Sequence, residues 1–287
     1  PLPPNEQQIL FEALKSHSRC FQLMFIVALY TGARLQTVCT LRIKHLYQSR
    51  VNNYGYACIA YGGGSEIDGK GDIEGVIRIP NWVINALKTY LKCEVAVNRR
   101  KLSYYGDTED NYVFLTRNGT PYYTSRREAN ERRDIDADKR IHNKSANKGY
   151  KYKTGEAVQV FIRQELLPSI KKTTPYFPNF TFHDLRATFG MNLIDKYYIA
   201  IDRANKKLMS DGKPLIGYSH ALDEVQVWMN HRDRTTTEHY LKFRDRSKWK
   251  RELIDKYEIT LLGEFDVSEG EALEVVSDQI AKMINGL

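Results

Sequence analysis

The sequence predicts a mainly α-helical α+β fold with a small antiparallel β-hairpin packed on a helical core. Three observations support this. Apolar residues recur at helical spacing through most of the 287 residues. Two short β-rich runs flank a glycine-rich turn, the pattern of a hairpin. A hydrophobic content of 42% with 27% charged residues suits a water-facing globular chain with a real core.

The elements follow in order. Pro3-Pro4-Asn5-Glu6, then Ile9, Leu10 and Leu14, mark a helix start with helical apolar spacing. Residues 21–30 are apolar nearly all round, so they form a buried helix. It stops at Thr31-Gly32, where glycine takes the left-handed conformation. Another helix begins near Arg34, with Leu35, Val38, Cys39 and Leu41 facing inward. Residues 54–61 and 75–79 are the hairpin strands, 82–97 return to helical spacing, and 112–115 read as one more short strand. Residues 125–155 are charged and weakly periodic, which predicts a helix and then a mobile basic loop. Phe182, Leu185, Phe189, Leu193, Ile194 and Tyr197 share a helix face. Residues 206–217 read as an exposed loop, and 221–229, 235–243 and 249–257 as helices. Leu273, Val276, Ile280 and Ile284 suggest one more amphipathic helix. There are no internal repeats.

Charge is uneven. Residues 252–287 hold nine Asp/Glu and two Lys, net −7, so the remainder of this +8 chain carries +15. A body that basic favours a polyanionic partner, nucleic acid first and an anionic membrane surface second; the plainer reading is a soluble basic surface. No run of about 18 uncharged apolar residues offers a membrane span, and no signal peptide opens the chain. Cys20, Cys39, Cys58 and Cys93 lack C-x-x-C spacing, which predicts reduced thiols and a cytoplasmic protein. The chain opens on Pro1, so upstream sequence is expected.

One motif is a decoy. Residues 64–70 fit G-x-x-x-x-G-K, but a nucleotide loop then needs Ser or Thr and a helix. Here Gly71 and a strand follow, so the segment reads as a hairpin tip presenting Lys70. In Thr181-Phe-His183-Asp-Leu-Arg186, His183 and Arg186 lie one helical turn apart. Chance alone supplies about half an H-x-x-R in a chain with this many His and Arg, and a solvent-facing pair is the plain alternative. In Asn230-His231, followed nine residues later by Tyr240, spacing again decides nothing; Thr235-Thr236-Thr237 can cap a short helix carrying Tyr240, by default a packing residue.

Taken together and in order, T-G-A-R-L at Arg34, G-K-G at Lys70, H-D-L-R at His183 to Arg186 and N-H-(x8)-Y at His231 to Tyr240 resemble the catalytic domain of the tyrosine recombinase (phage integrase) family, over roughly residues 5–243. The resemblance implies site-specific cleavage and rejoining of double-stranded DNA by transesterification through a 3′-phosphotyrosyl link, with no cofactor, ATP or metal ion. It implies Tyr240 as nucleophile, Arg34, Arg186 and His231 on the non-bridging oxygens, His183 in proton transfer and Lys70 as acid for the departing 5′-hydroxyl. The chemistry suits these groups: planar guanidiniums clamp a charge-gathering phosphate, and a phenol of pKa about 10 needs help to ionise. The resemblance also implies a tetramer on DNA.

The chain departs from the family pattern at Thr37, where an acidic residue is usual, at His45, where Asp is usual, and at Met229-Asn230, in place of Leu-Gly. The expected organisation is a catalytic domain over 1–251, with a basic insertion near 117–180 and a loop insertion near 206–217. An acidic helical tail over 252–287 is expected to follow, resembling in position the family segment that docks on a neighbouring subunit; the plainer reading is a helix packed on its own body. Residues 1–8 read as a linker following a further DNA-clamping domain. The alternatives are a catalytically silent DNA-binding module of the same fold, or a type IB topoisomerase or telomere resolvase.

Overall fold

A computed structural model describes residues 1–133, 150–233 and 235–239. They are mainly helical, with a two-stranded antiparallel sheet. The chain divides into two compact units, one of residues 2–186 and one of residues from 187 onward together with Pro1.

The first unit opens with α1 (Pro4–Leu14) and α2 (Arg19–Thr31). Leu23, Met24, Phe25, Val27 and Ala28 of α2 are wholly buried, as its all-round apolar sequence requires. Each large side chain so buried is worth roughly 1.5–3 kcal/mol. Gly32 ends the helix at φ 63°, its N–H donating to the Ala28 carbonyl at 2.9 Å. Two short helices follow, α3 (Leu35–Cys39) and α4 (Ile43–Gln48). Val38, Cys39 and Leu41 are buried as expected, whereas Leu35 is half-buried. The hairpin is β1 (Tyr56–Tyr61) against β2 (Gly75–Pro80), Tyr56 opposite Pro80 and Tyr61 opposite Gly75.

The helical stretch expected over 82–97 is two helices, α5 (Asn81–Lys92) and α6 (Glu94–Lys101). Cys93 is extended between them at φ −72°, ψ 148°. Glu94 sits in the first turn of α6, with Arg99, Arg100 and Lys101 in its last, each on the side the helix dipole favours. The expected strand at 112–115 is not one. Tyr112, Val113, Phe114 and Leu115 are buried but bridge one residue at a time, Arg42 to Tyr112 and Leu115 to Pro121. One partner segment turns at once into α4, and proline has no N–H to extend a ladder.

Beneath α7 (Arg126–Glu131) lies a polar core. Arg42 is fully buried, its guanidinium 4.7 Å from the ring centres of both Tyr105 and Tyr112. It donates to the Ser125 hydroxyl at 2.8 Å and to the Asp110 carbonyl. Tyr112 in turn donates to Glu128 at 2.6 Å. A charge this buried is tolerated because its terminal nitrogens are hydrogen-bonded and Glu66 stands 3.8 Å from its otherwise unbonded Nε.

The charged stretch also contains a helix that its composition obscures. α8 (Glu156–Phe161), a π-helical turn (Ile162–Leu166) and α9 (Leu167–Thr173) run on continuously. Phe161 stacks on Phe21 with ring centres 3.7 Å apart and meets Phe25 edge-on at 6.2 Å. This part of the expected basic insertion therefore belongs to the core of the first unit. The wide turn has two causes. The apolar pairs Phe161-Ile162 and Leu166-Leu167 are all buried while Arg163, Gln164 and Glu165 are exposed, and only a turn wider than 3.6 residues brings pairs five apart onto one face. The ring of Pro168 also displaces the carbonyl four residues earlier.

In the second unit, α10 (Phe182–Ser210), which begins in the first, packs on α11 (Ser219–Met229). Phe189, Ile194, Leu222, Val225 and Met229 form the buried contact. α10 continues through 206–210, part of the expected loop, because Lys206 and Lys207 are good helix formers. The exposed connection is shorter, 211–217, turning at Gly212 with φ 64°. Asn205 holds it through both the N–H and the carbonyl of Ile216, at 2.8 and 3.0 Å. Among the described residues no helix is long and apolar enough to cross a membrane. The acidic tail over 252–287 and the helix expected at 249–257 lie outside the described residues.

Candidate active site

The T-G-A-R loop between α2 and α3 sets Arg34. Thr31 Oγ1 donates to the Val27 carbonyl at 2.6 Å and accepts from the Ala33 N–H at 3.1 Å, so the chain leaves α2 along a fixed path. Arg34 then occupies the N-cap position of α3, half-buried. The second arginine is tied to the same loop. Arg186 is 4% exposed and its Nη1 donates to the Gly32 carbonyl, joining residues 154 apart in sequence.

α10 presents the H-D-L-R motif through a reciprocal cap. Asp184 Oδ2 accepts from both the N–H and the hydroxyl of Thr181 at 2.8 Å, and the Asp184 N–H donates to the Thr181 carbonyl at 3.0 Å. Phe182 is buried and meets Phe25 edge-on at 5.5 Å, which turns its neighbour His183 outward. The surroundings hold the His183 imidazole below its ordinary value: partial desolvation acts most, then the positive charges of Arg186, Arg34 and Lys70, against which Asp184 pulls upward. Three of the other sequence-selected residues, Arg34, Lys70 and Arg186, thus bear electrostatically on His183 within the first unit.

Lys70 opens a single 3₁₀ turn (Lys70–Asp72) and is exposed. Strand β2 follows and no helix, so the phosphate-loop pattern is a decoy in structure too. Gly71 and Asp72 both take left-handed backbone, φ 65° and 61°. At Gly69 a Cβ would stand 2.4 Å from the Ile73 carbonyl, so only glycine passes. Asp68, just upstream, is 7% exposed and densely bonded. Burial raises its carboxyl, opposed by hydrogen bonds from the Arg126 N–H and Gln36.

His231 belongs to the second unit. Asn230 ends α11 in the left-handed conformation, φ 49°; its N–H donates to Val227 O at 3.2 Å and that of His231 to Gln226 O at 3.0 Å. This is a Schellman cap, and it explains Asn230 where the family pattern has Gly, since asparagine tolerates that backbone. Met229, fully buried, fills the neighbouring apolar position. His231 Nδ1 lies 3.0 Å from the hydroxyl of Thr237, which is itself fully buried. The next helical turn (235–239) is held by Asp233, which accepts from the Thr235 N–H at 2.9 Å, so Asp233 does the capping expected of the threonines, and Thr237 bonds the histidine instead. Tyr240 lies outside the described residues.

The other departures also find places. Thr37 is buried and its hydroxyl donates to the Asp68 carbonyl at 3.0 Å. His45 is half-buried in α4, where desolvation and the charge of Lys44 keep its imidazole below the ordinary range. Asp68 and Arg126, beside Lys70 in the first unit, were not singled out from sequence, and Thr237 was read only as a cap. The flanking acids of D-G-K-G-D were the one available sign.

No family model matches the sequence, and no curated protein matches it. Solved structures do. An XerH site-specific recombinase bound to palindromic difH substrate matches at 18% identity and TM-score 0.47, over 83% of this chain and 48% of that one. XerA recombinase matches at 18% and 0.43, over 87% and 64%. The Tn1549 transposon integrase in complex with a circular intermediate DNA matches at 16% and 0.46, over 84% and 60%. The chain is thus similar to recombinases and a transposon integrase over most of its own length, while spanning 48–64% of theirs.

Proposed function

We propose that this chain is the catalytic part of a tyrosine-type site-specific DNA recombinase. One observation carries the reading: Arg34, Lys70 and Arg186, from three separate stretches of sequence, all bear electrostatically on His183. Residues 1–251 form the catalytic domain, and 252–287 dock on a neighbouring copy assembled on the same DNA.

The Tyr240 phenolate attacks phosphorus, the bond to the 5′-oxygen breaks, and a 3′-phosphotyrosyl ester forms. Arg34 and Arg186 hold the non-bridging oxygens as negative charge gathers there. When the Thr237 hydroxyl donates to Nδ1, His231 carries its proton on Nε2 and donates to the same oxygens. His183, its imidazole kept neutral near pH 7, accepts the phenol proton. Lys70 delivers a proton to the departing 5′-oxygen. Another strand's 5′-hydroxyl then reverses these steps, and the ester's retained bond energy dispenses with ATP.

The test offers the chain a pool of nicked suicide duplexes randomised at the centre and recovers DNA that stays attached in detergent. The expected result is an adduct on a subset of sequences, lost in Tyr240→Phe. No adduct, or one that survives Tyr240→Phe, overturns the reading. Supercoil relaxation without sequence preference would indicate a topoisomerase instead.

A further inference from the structure

Lys70 sits at the centre of Asp68-Gly69-Lys70-Gly71-Asp72, with one carboxylate on each side. Upstream, the N–H, the carbonyl and the carboxylate Oδ2 of Asp68 are all engaged. Its N–H donates to Thr40 Oγ1 at 2.9 Å, and its carbonyl accepts from Thr37 Oγ1 at 3.0 Å. Its carboxylate accepts from the Arg126 N–H at 3.0 Å and from Gln36 Nε2 at 3.3 Å. Gln36 and Thr37 lie on α3, Thr40 is its C-cap, and Arg34 is its N-cap. Downstream, Asp72 Oδ1 pairs with Arg126 Nη1 at 2.8 Å. Arg126 therefore touches both flanks of the lysine, by main chain on one and by guanidinium on the other.

We propose that Asp68 is a positioning residue for Lys70: it latches the lysine turn to the helix that starts at Arg34, so that the acid and the phosphate clamp keep one geometry. The proposal rests on the functional reading above. It also gives a chain-specific account of Thr37, which reaches an acidic residue on the hairpin instead of being one. The two flanks are unequal. The Asp72 pair is about half exposed on both sides, where an ion pair adds little. Asp68 is buried, and truncating its carboxylate leaves Gln36 and the Arg126 N–H to find other partners, while its main-chain bonds to Thr37 and Thr40 persist. The tight passage at Gly69 and the left-handed pair Gly71-Asp72 leave the turn little room to slide. Lys70 keeps a flexible stem; the latch fixes the point from which it swings.

The experiment compares cleavage of a duplex selected from the pool with the same duplex carrying a bridging sulfur in place of the 5′-oxygen. A thiolate leaves without protonation, so the sulfur substrate bypasses the acid. Lys70→Ala is expected to cleave ordinary DNA about 10²-fold more slowly or worse and the sulfur substrate at nearly the wild-type rate. Asp68→Ala should fall by about tenfold or more on ordinary DNA and recover on sulfur in the same way. If Lys70→Ala recovers but Asp68→Ala stays slow on sulfur, or never slows, the latch is wrong. If Lys70→Ala does not recover, the acid assignment itself is wrong. Absence of any wild-type adduct overturns both. Should Asp68→Ala fail to fold, Thr37→Val removes one latch bond at nearly constant volume and faces the same two substrates, with the same recovery required.

Discussion

His183 is where the charges of this site can be read one at a time. Its imidazole is held below the ordinary histidine range because the ring is partly desolvated and three cations oppose a fourth positive charge. Removing a cation must therefore raise the midpoint. Arg34→Gln should raise it more than Lys70→Gln, in the order of their effects, and Asp184→Asn should lower it; histidine NMR titration of each variant checks the three signs. If the neutral ring accepts the phenol proton, as proposed above, cleavage should rise with pH through that midpoint and level off above it. Asn230 makes a second test. Asn230→Gly should leave thermal stability near wild type, whereas Asn230→Ala should cost about 1 kcal/mol in a denaturation midpoint, since alanine lacks asparagine's tolerance of left-handed backbone. Arg34, His183 and Arg186 could be singled out from sequence because each stands in a short run of recognisable neighbours. Asp68 was not, since two of its four bonds use its main chain and its partners lie 28 to 58 residues away.

Among the elements, helical periodicity located α1, α2, α5 and α10, and alternating β-rich runs located the hairpin. It failed where apolar spacing departs from 3.6. Phe161-Ile162 and Leu166-Leu167 stand five apart, a pattern without a helical period, inside a segment whose lysines and arginines suggested surface. Burial gives the opposite answer, and a core aromatic is expensive to lose. Phe161→Ala should therefore destabilise the chain by about 3–5 kcal/mol in chemical denaturation; a surface insertion would yield a tenth of that. The buried guanidinium of Arg42 likewise carried no sequence sign, as cations read as solvent-facing by default. Arg42→Ala, which takes a donor from Ser125 Oγ and from the Asp110 carbonyl and leaves a void between the rings of Tyr105 and Tyr112, should also lose about 2–5 kcal/mol.

For the whole molecule, the +15 carried outside the acidic tail predicts how binding responds to salt. Affinity for duplex DNA should fall steeply, by about tenfold or more between about 50 and about 200 mM salt, in a fluorescence-anisotropy titration. Tyr240→Phe should leave that curve unmoved while abolishing attachment. Chain length is a further property of the whole, and the wide turn at Ile162–Leu166 governs where it can change. Elsewhere in a buried helix, loss of one residue swings everything downstream by about 100° and carries the apolar face into water. Within the wide turn the surplus residue is already present. Excising Gln164 while replacing Pro168 by alanine should let the backbone close into ordinary 3.6-residue winding, with Phe161 and Ile170 still facing inward: a shortening the protein can absorb at this point and not one turn to either side.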